Sequence, residues 1–312
     1  MMPAKLLVLD PLTLMGKELL RCIAESPELS HDLEFRHTGA DDEHQITEIG
    51  GRPALVPPLD SAADLIGFDA VIVTSDAQGS RHDHVIDFTG SEPDAALLDL
   101  SRLACLVERT AVSAGGTTGG SRHLRVAHPA LVAAARVLEV LTHLGRPRGT
   151  LAVFDPVSVY GQEAVELLAR QGANRLQGAS PAELIYGNVR AFNTLAVDPS
   201  LLQDEASQVL PGLPLAISHC LAGMFHGHLA HLGLCFDEPL TPELVQEALL
   251  QAEGLEQAEL PLGLDTVVDH DRVLVTPFSL SPDGRQVAVT MMIDGLRVGG
   301  AVTGLEILQD LL

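Results

Sequence analysis

Between Lys5 and His128 the chain alternates short, almost wholly apolar runs with a helical repeat, and this alternation limits the fold more than any other feature. "KLLVLD" (5–10) is followed by leucines at helical spacing from Leu14 to Glu25, then by "DAVIVTS" (69–75), "DAALLDLS" (94–101) and "LRVAH" (124–128). Strand, helix, strand in that order favours the doubly wound α/β plan with a parallel sheet. A Rossmann-like, nucleotide-binding-type domain is therefore expected first.

The stretch "VAHPALVAAARVLEVLTHLG" (126–145) reads as a strand, a proline turn and a helix. Pro129 suits the first helical position, Leu131, Val132, Leu138 and Leu141 recur at helical spacing, and Gly145 with Pro147 closes the helix. Free N–H groups at such a helix start stabilise negative charge, and enzymes often mount a nucleophile there. Here the first turn offers only Ala130, Leu131 and Val132, and residues 126–141 contain no Cys, Ser, Thr or Lys.

The second half has another texture. "TLAVFDPVSVYG" (150–161) leads into a helix to about Gln171, and a long strand system is expected over Pro214 to Phe236. A helix begins at Thr241 and Pro242, and "RVLVTPFSL" (272–280) and "RQVAVTMMID" (285–294) suit an antiparallel α+β layer. Val298 to Leu312 reads as a terminal helix. The glycine-rich "SAGGTTGGS" (113–121) has no Lys-Ser/Thr after it, so a flexible loop explains it better than a phosphate cradle.

With 42 acidic against 19 basic side chains, a formal charge of −23, the average surface repels nucleic-acid phosphates and anionic lipid headgroups, so neither is an expected partner. The opening "MMPAKLLVLDPLTLMG" holds an apolar run interrupted by Asp10, too short for a signal-peptide core or a membrane span, which points to the cytoplasm. Cys22, Cys105, Cys220 and Cys235 are scattered without CxxC spacing, as reduced thiols would be.

Taken in order, these segments resemble the aspartate-semialdehyde dehydrogenase family over nearly the whole chain. Where that family has a strand, GxTGxxG and a helix, this chain has "DPLTLMGKELL" (10–20), which keeps Gly16 and places Asp10 and Thr13 at the other glycine positions. Where the family has asparagine, proline, asparagine and the catalytic cysteine, this chain has His128, Pro129, Ala130 and Leu131. In "FDPVSVYG" (154–161) Asp155 takes a glutamine position, and "FHGHLAHL" (225–232) puts Gly227 and His228 on the family's glycine and general-base histidine. The substrate arginine falls on Leu221, and "DGLRVGGAVTGLEIL" (294–308) keeps Asp294, Leu296 and Arg297 while Val298 replaces a lysine.

The resemblance implies a dinucleotide-binding domain of residues 1–125, completed by 296–312, around a catalytic and dimerisation domain of residues 126–295. It also implies NADP as cofactor, a homodimer, and a reaction in which a thiolate attacks an aldehyde, hydride passes to NADP and phosphate releases aspartyl phosphate. The residues present disagree with that chemistry at separate steps. Leu131 has no lone pair to attack with. Leu221 cannot pair a carboxylate in the two-pronged manner of arginine, Asp155 would repel a dicarboxylic substrate, and Val298 removes another polar partner. At the cofactor site the side-chain oxygens of Asp10 or Thr13 are expected to cap the helix in place of a phosphate.

Three functions follow as expectations. The first is a catalytically inactive relative kept as a dimeric binding or scaffold protein. The second is an enzyme of altered chemistry that uses His228 with Asp155 for acid–base work. The third is a metal site in the His219–His231 cluster, where His226 and His228 would share a strand face with His231 opposite, though no acidic or Cys ligand is evident nearby.

Overall fold

A computed structural model describes residues 4–25, 32–39, 43–49, 51–74, 96–100, 111–113, 123–180, 183–185 and 187–312. Cys105 and the glycine-rich segment beyond Ser113 lie outside the described residues. The chain divides into two compact units, one of residues 1–126 with 300–312 and one of residues 127–299.

The first unit is built on strands β1 (Lys5–Leu9), β2 (Asp32–Arg36), β5 (Ala70–Val73), β6 (Ala96–Asp99), β7 (Ala111–Ser113) and β8 (His123–Val126), all parallel, in the order β2-β1-β5-β6-β8-β7. A separate hairpin joins β3 (Gln45–Ile49) and β4 (Arg52–Val56). The continuous apolar runs are explained by burial on both faces. Leu6, Val8, Ile72 and Leu98 pack with Leu19, Leu20 and Ile23 of helix α1 (Leu14–Glu25), whereas Leu7, Leu9, Val71 and Leu97 pack with Leu59, Leu65 and Phe68.

The C-terminal segment is a π-helical turn, Arg297–Ala301, running into helix α6 (Val302–Leu311), where the sequence suggested one helix from Val298. Leu305, Ile307 and Leu308 join the α1 side of the sheet. A Cβ on Gly304 would sit 2.7 Å from Leu100 Cδ2, so only glycine lets α6 approach this closely.

The start of α1 shows what has replaced the glycine motif. Thr13 Oγ1 accepts the Gly16 N–H at 2.9 Å and donates within reach of the Asp10 carbonyl at 3.0 Å. Asp10 keeps a glycine-like backbone, with φ 58°, but its side chain does not cap the helix. Its carboxylate instead accepts Thr38 N–H and Thr38 Oγ1–H, both at 2.6 Å, which ties the turn to the end of β2. Gly16 is retained because a Cβ there would meet the Asp10 and Pro11 backbone at 2.6 Å. Of the two alternatives for the cap, Asp10 or Thr13, it is Thr13 whose side chain takes the helix N–H. Thr13→Ala is expected to cost about 1 kcal/mol, read as a lower urea midpoint by circular dichroism.

The second unit carries an eight-stranded mixed sheet, with β9 (Arg148–Asp155), β10 (Thr194–Val197), β11 (Leu215–Ala222), β12 (His228–Cys235), β13 (Leu255–Gln257), β14 (Val273–Val275), β15 (Ser279–Leu280) and β16 (Gln286–Ile293). The order is β10-β11-β9-β12-β16-β14-β13, with β15 beside β16. β14 and β15, from the stretch expected in an antiparallel layer with β16, do pair antiparallel with it. β9–β11 and β13–β14 run parallel. Helices α2 (Pro129–Leu141), α3 (Gln162–Leu176), α4 (Ser200–Val209) and α5 (Pro242–Gln251) complete the unit.

Burial in β9, β12 and β16 alternates along each strand, so one sheet face is core and the other only half-covered. The core face lies against α2, which buries Leu131, Val132, Val137, Leu138 and Leu141 and packs on β12, β16, α4 and α5. No helix among the described residues is long and apolar enough to cross a membrane.

Candidate functional site

Three strand ends and one helix start converge in the second unit. β9 terminates at Asp155 because Pro156 follows and cannot continue the ladder. β12 opens at His228 straight after Gly227, whose φ of +80° supplies the turn. In the parallel pairing Leu221 of β11 stands opposite Asp155, and His219, two residues back, shares its face. His128 is the N-cap of α2, with Pro129 after it at the first helical position.

Three imidazoles close on one carboxylate. Asp155 Oδ2 lies 2.8 Å from His219 Nε2 and 3.1 Å from His128 Nε2, and Asp155 Oδ1 lies 3.6 Å from His228 Nε2. His128 Nδ1 accepts the Ala130 N–H at 3.2 Å, so its proton sits on Nε2 and points at Asp155. The His128 ring stands almost perpendicular to both others, with centroids 5.5 Å from His228 and 6.0 Å from His219. His228, Asp155 and His128 are 3%, 4% and 5% exposed, so solvent screens these contacts little. The His128 backbone N–H is taken by buried Glu205 of α4.

Burial alone would push the Asp155 carboxyl up, but the electrostatic attraction of His128, the hydrogen bonds from His128 and His219 and the attraction of His228 hold it well below the usual carboxylate range. The group is an anion held among imidazoles rather than a proton donor.

The C-terminal end of this unit lies flat against the same junction. A Cβ on Gly295 would meet His228 Cε1 at 2.1 Å, and one on Gly299, at φ +77°, would meet Pro129 Cα at 2.5 Å. Asp294 accepts the Asp269 and Leu296 N–H groups, and Arg297 pairs with Asp271. Gly295→Ala is expected to move the His228 ring and cost about 1–3 kcal/mol, as overpacking does. Urea unfolding followed by circular dichroism checks this, since the chain has no Trp.

The other sequence candidates fall as follows. Leu131 is fully buried in the first turn of α2, Val298 is fully buried, and Leu221 is 8% exposed on the Asp155 face of β11. Asp10, Thr13 and Gly16 stand in the first unit. The expected sharing of one strand face by His226 and His228 does not form, and His231 is the residue expected on the opposite face. His226 precedes β12, and His231 is exposed and bonded to Thr290 Oγ1 at 3.0 Å. The acid that the cluster lacked in sequence is Asp155, and its second buried histidine is His128, an N-cap whose position before Pro129 was the only signal of it.

No protein-family profile matches the chain. A USG-1 protein homolog from Azotobacter vinelandii is 30% identical over 174 residues, covering 50% of this chain and 52% of that protein, so the chain matches about half the length of this curated relative. Solved structures resemble it along its full length. Aspartate semialdehyde dehydrogenase II from Vibrio cholerae, complexed with ASA, superimposes with a TM-score of 0.81 at 14% identity, covering 100% of this chain and 98% of that one. A probable aspartate-semialdehyde dehydrogenase from Pseudomonas aeruginosa gives 0.83 at 20% identity, covering 97% and 96%. The chain has the aspartate-semialdehyde dehydrogenase fold. Within that fold, identities this low carry architecture alone, and the chemistry has to be argued from the residues present.

Proposed function

We propose that this protein keeps the aspartate-semialdehyde dehydrogenase fold as a dimeric binding or scaffold protein and does not catalyse the NADP-dependent reaction of the enzymes it resembles. The observation that carries this reading is Leu131, which the resemblance puts at the nucleophile position and which is fully buried in the first turn of α2. Asp155 and Leu221 support it, since an anion and an apolar side chain stand where the substrate would need a neutral amide and an arginine. Thr13 supports a loss of cofactor binding as well, because it occupies a helix N–H group that a phosphate would otherwise take.

Dimerisation is favoured by the half-covered sheet face, where Phe154, Leu229 and Met292 stand in register across β9, β12 and β16 and remain partly exposed. The test is an assay of the purified protein with aspartate semialdehyde, NADP and phosphate, beside a thermal-shift series with NADP and NAD and a light-scattering mass. We expect NADPH formation at the buffer blank, a flat melting response and a dimer mass. Steady turnover would overturn the reading, and a monomer mass would remove its dimeric part.

A second reading, acid–base chemistry by His228 with Asp155, is favoured by their 3.6 Å approach. It requires turnover of some substrate with a pH profile that His228→Gln abolishes.

A further inference from the structure

We infer that His128, Asp155 and His228 form a binding site for one divalent transition-metal ion, with zinc the best fit. The site does not depend on whether the protein is catalytic, because metal content is read without any turnover.

The donor set is two imidazoles and one carboxylate, all buried, with ligand atoms within 4.8 Å of one another. A tetrahedral zinc ion with ligand bonds of about 2.0–2.1 Å sets its donors about 3.3 Å apart. His128 Nε2 lies 3.1 Å from Asp155 Oδ2 and His228 Nε2 lies 3.6 Å from Asp155 Oδ1, both near that spacing though to different carboxylate oxygens. Ligation therefore needs the three side chains to draw together, the farthest donors closing from as much as 4.8 Å to about 3.3 Å. Asp155 Oδ1, on the His228 side, is buried and accepts no hydrogen bond among the described residues, an acceptor that a cation would satisfy.

The surrounding contacts arrange the ligands. His219 Nε2 holds Asp155 Oδ2 at 2.8 Å and so orients the carboxylate from outside, as outer-shell donors do at metal sites. Gly295 fixes the other side of the His228 ring by backbone contact. The ion takes the place of the His128 Nε2 proton. The displaced proton moves to Nδ1, and the ring gives up the Ala130 N–H, the longest hydrogen bond of the cluster at 3.2 Å. Two imidazoles and one carboxylate leave a divalent ion with one net positive charge. That charge sits in a chain of net charge −23. The resemblance puts amides at positions 128 and 155, and both are replaced here by side chains that ligate metals well.

The test uses the untagged full-length chain. Elemental analysis after purification in zinc-containing medium is expected to give about one zinc per chain. After chelation, cobalt titration is expected to give visible absorption of tetrahedral intensity that saturates at about one equivalent. His128→Ala and His228→Ala should each lose the cobalt signal, whereas His226→Ala and His231→Ala should keep it. Should the buried variants fail to fold, the wild-type cobalt titration decides alone. Zinc at trace level with no saturable cobalt spectrum overturns the site. So does a signal that follows His226 or His231 instead of His128 and His228. Metal bound without turnover upholds the site and the non-catalytic reading together, and turnover without metal would end both.

Discussion

Asp155→Ala is expected to lower the stability of the second unit by about 3–5 kcal/mol, the range for removing one partner from a buried ionic cluster. The carboxylate is 4% exposed and is the acceptor for both His128 Nε2 and His219 Nε2, so its loss strands one buried and one half-buried donor as well as leaving a void. Asp155→Asn keeps the shape and one acceptor oxygen and should cost less, about 1–3 kcal/mol. The two penalties have a defined pH dependence, best measured on chelated protein so that only protons compete. Because the folded carboxyl lies below its ordinary value, its stabilisation is complete above the unfolded carboxylate pKa of about 3.9 and disappears as pH falls through the folded value. The gap between wild type and Asp155→Asn should therefore be widest near neutrality and narrow in acid. Denaturant midpoints collected across that range check the sign. A gap that stays constant, or widens on acidification, would remove the anionic role given to Asp155.

Leu131→Cys is expected to leave the protein without measurable dehydrogenase activity, although it restores the one atom that the resemblance says is missing. The helix start would favour a thiolate, and His128 and His228 stand in the same unit. What it does not restore is larger. In enzymes whose catalytic residues act as a unit, losing the unit costs on the order of 10⁶ in kcat, and returning one member recovers almost none of it. Leu221 still offers no pairing for a substrate carboxylate, and a partner missing from a buried charge pair costs about 2–5 kcal/mol. Asp155 still presents a like charge. The new thiol would also be sealed in, since position 131 is fully buried. The triple variant Leu131→Cys, Asp155→Gln, Leu221→Arg returns the substrate groups, and turnover is expected to rise above the blank only when Asp10→Gly and Thr13→Gly are added to it to reopen the cofactor site. NADPH absorbance under saturating phosphate distinguishes the two, and activity in the single variant would sink the argument from cooperating losses.

The parts of this molecule that could be read from the chain are those decided by local patterning. The run "KLLVL" is a strand buried on both faces because its odd and even residues both find apolar partners, and Pro129 marks a helix start whatever surrounds it. The site is another matter. Asp155 meets His128 across 27 residues and His219 across 64, and neither interval has a helical or strand period that could announce the contact. It arises because β9 and β11 run parallel, which the residues of β9 do not encode by themselves: they fit a half-buried strand with either neighbour direction. The chain leaves open which of Asp10 and Thr13 caps α1 for a related reason. A carboxylate beside a helix start has a local acceptor role available, but Thr38 offers a backbone N–H and a hydroxyl together, and two charge-assisted hydrogen bonds outweigh one cap.

The return of α6 to the first sheet bears on how the chain must be made. Leu305, Ile307 and Leu308 belong to the same core as Leu6 and Val8, yet they are synthesised only after every residue of the second unit. On a ribosome the first sheet therefore waits with one flank uncovered while the intervening residues emerge and pack. Contacts this distant along the chain slow folding and lengthen the exposure of apolar surface. The second unit, continuous in sequence, can finish without that delay, so the half of the molecule translated first is the one that closes last.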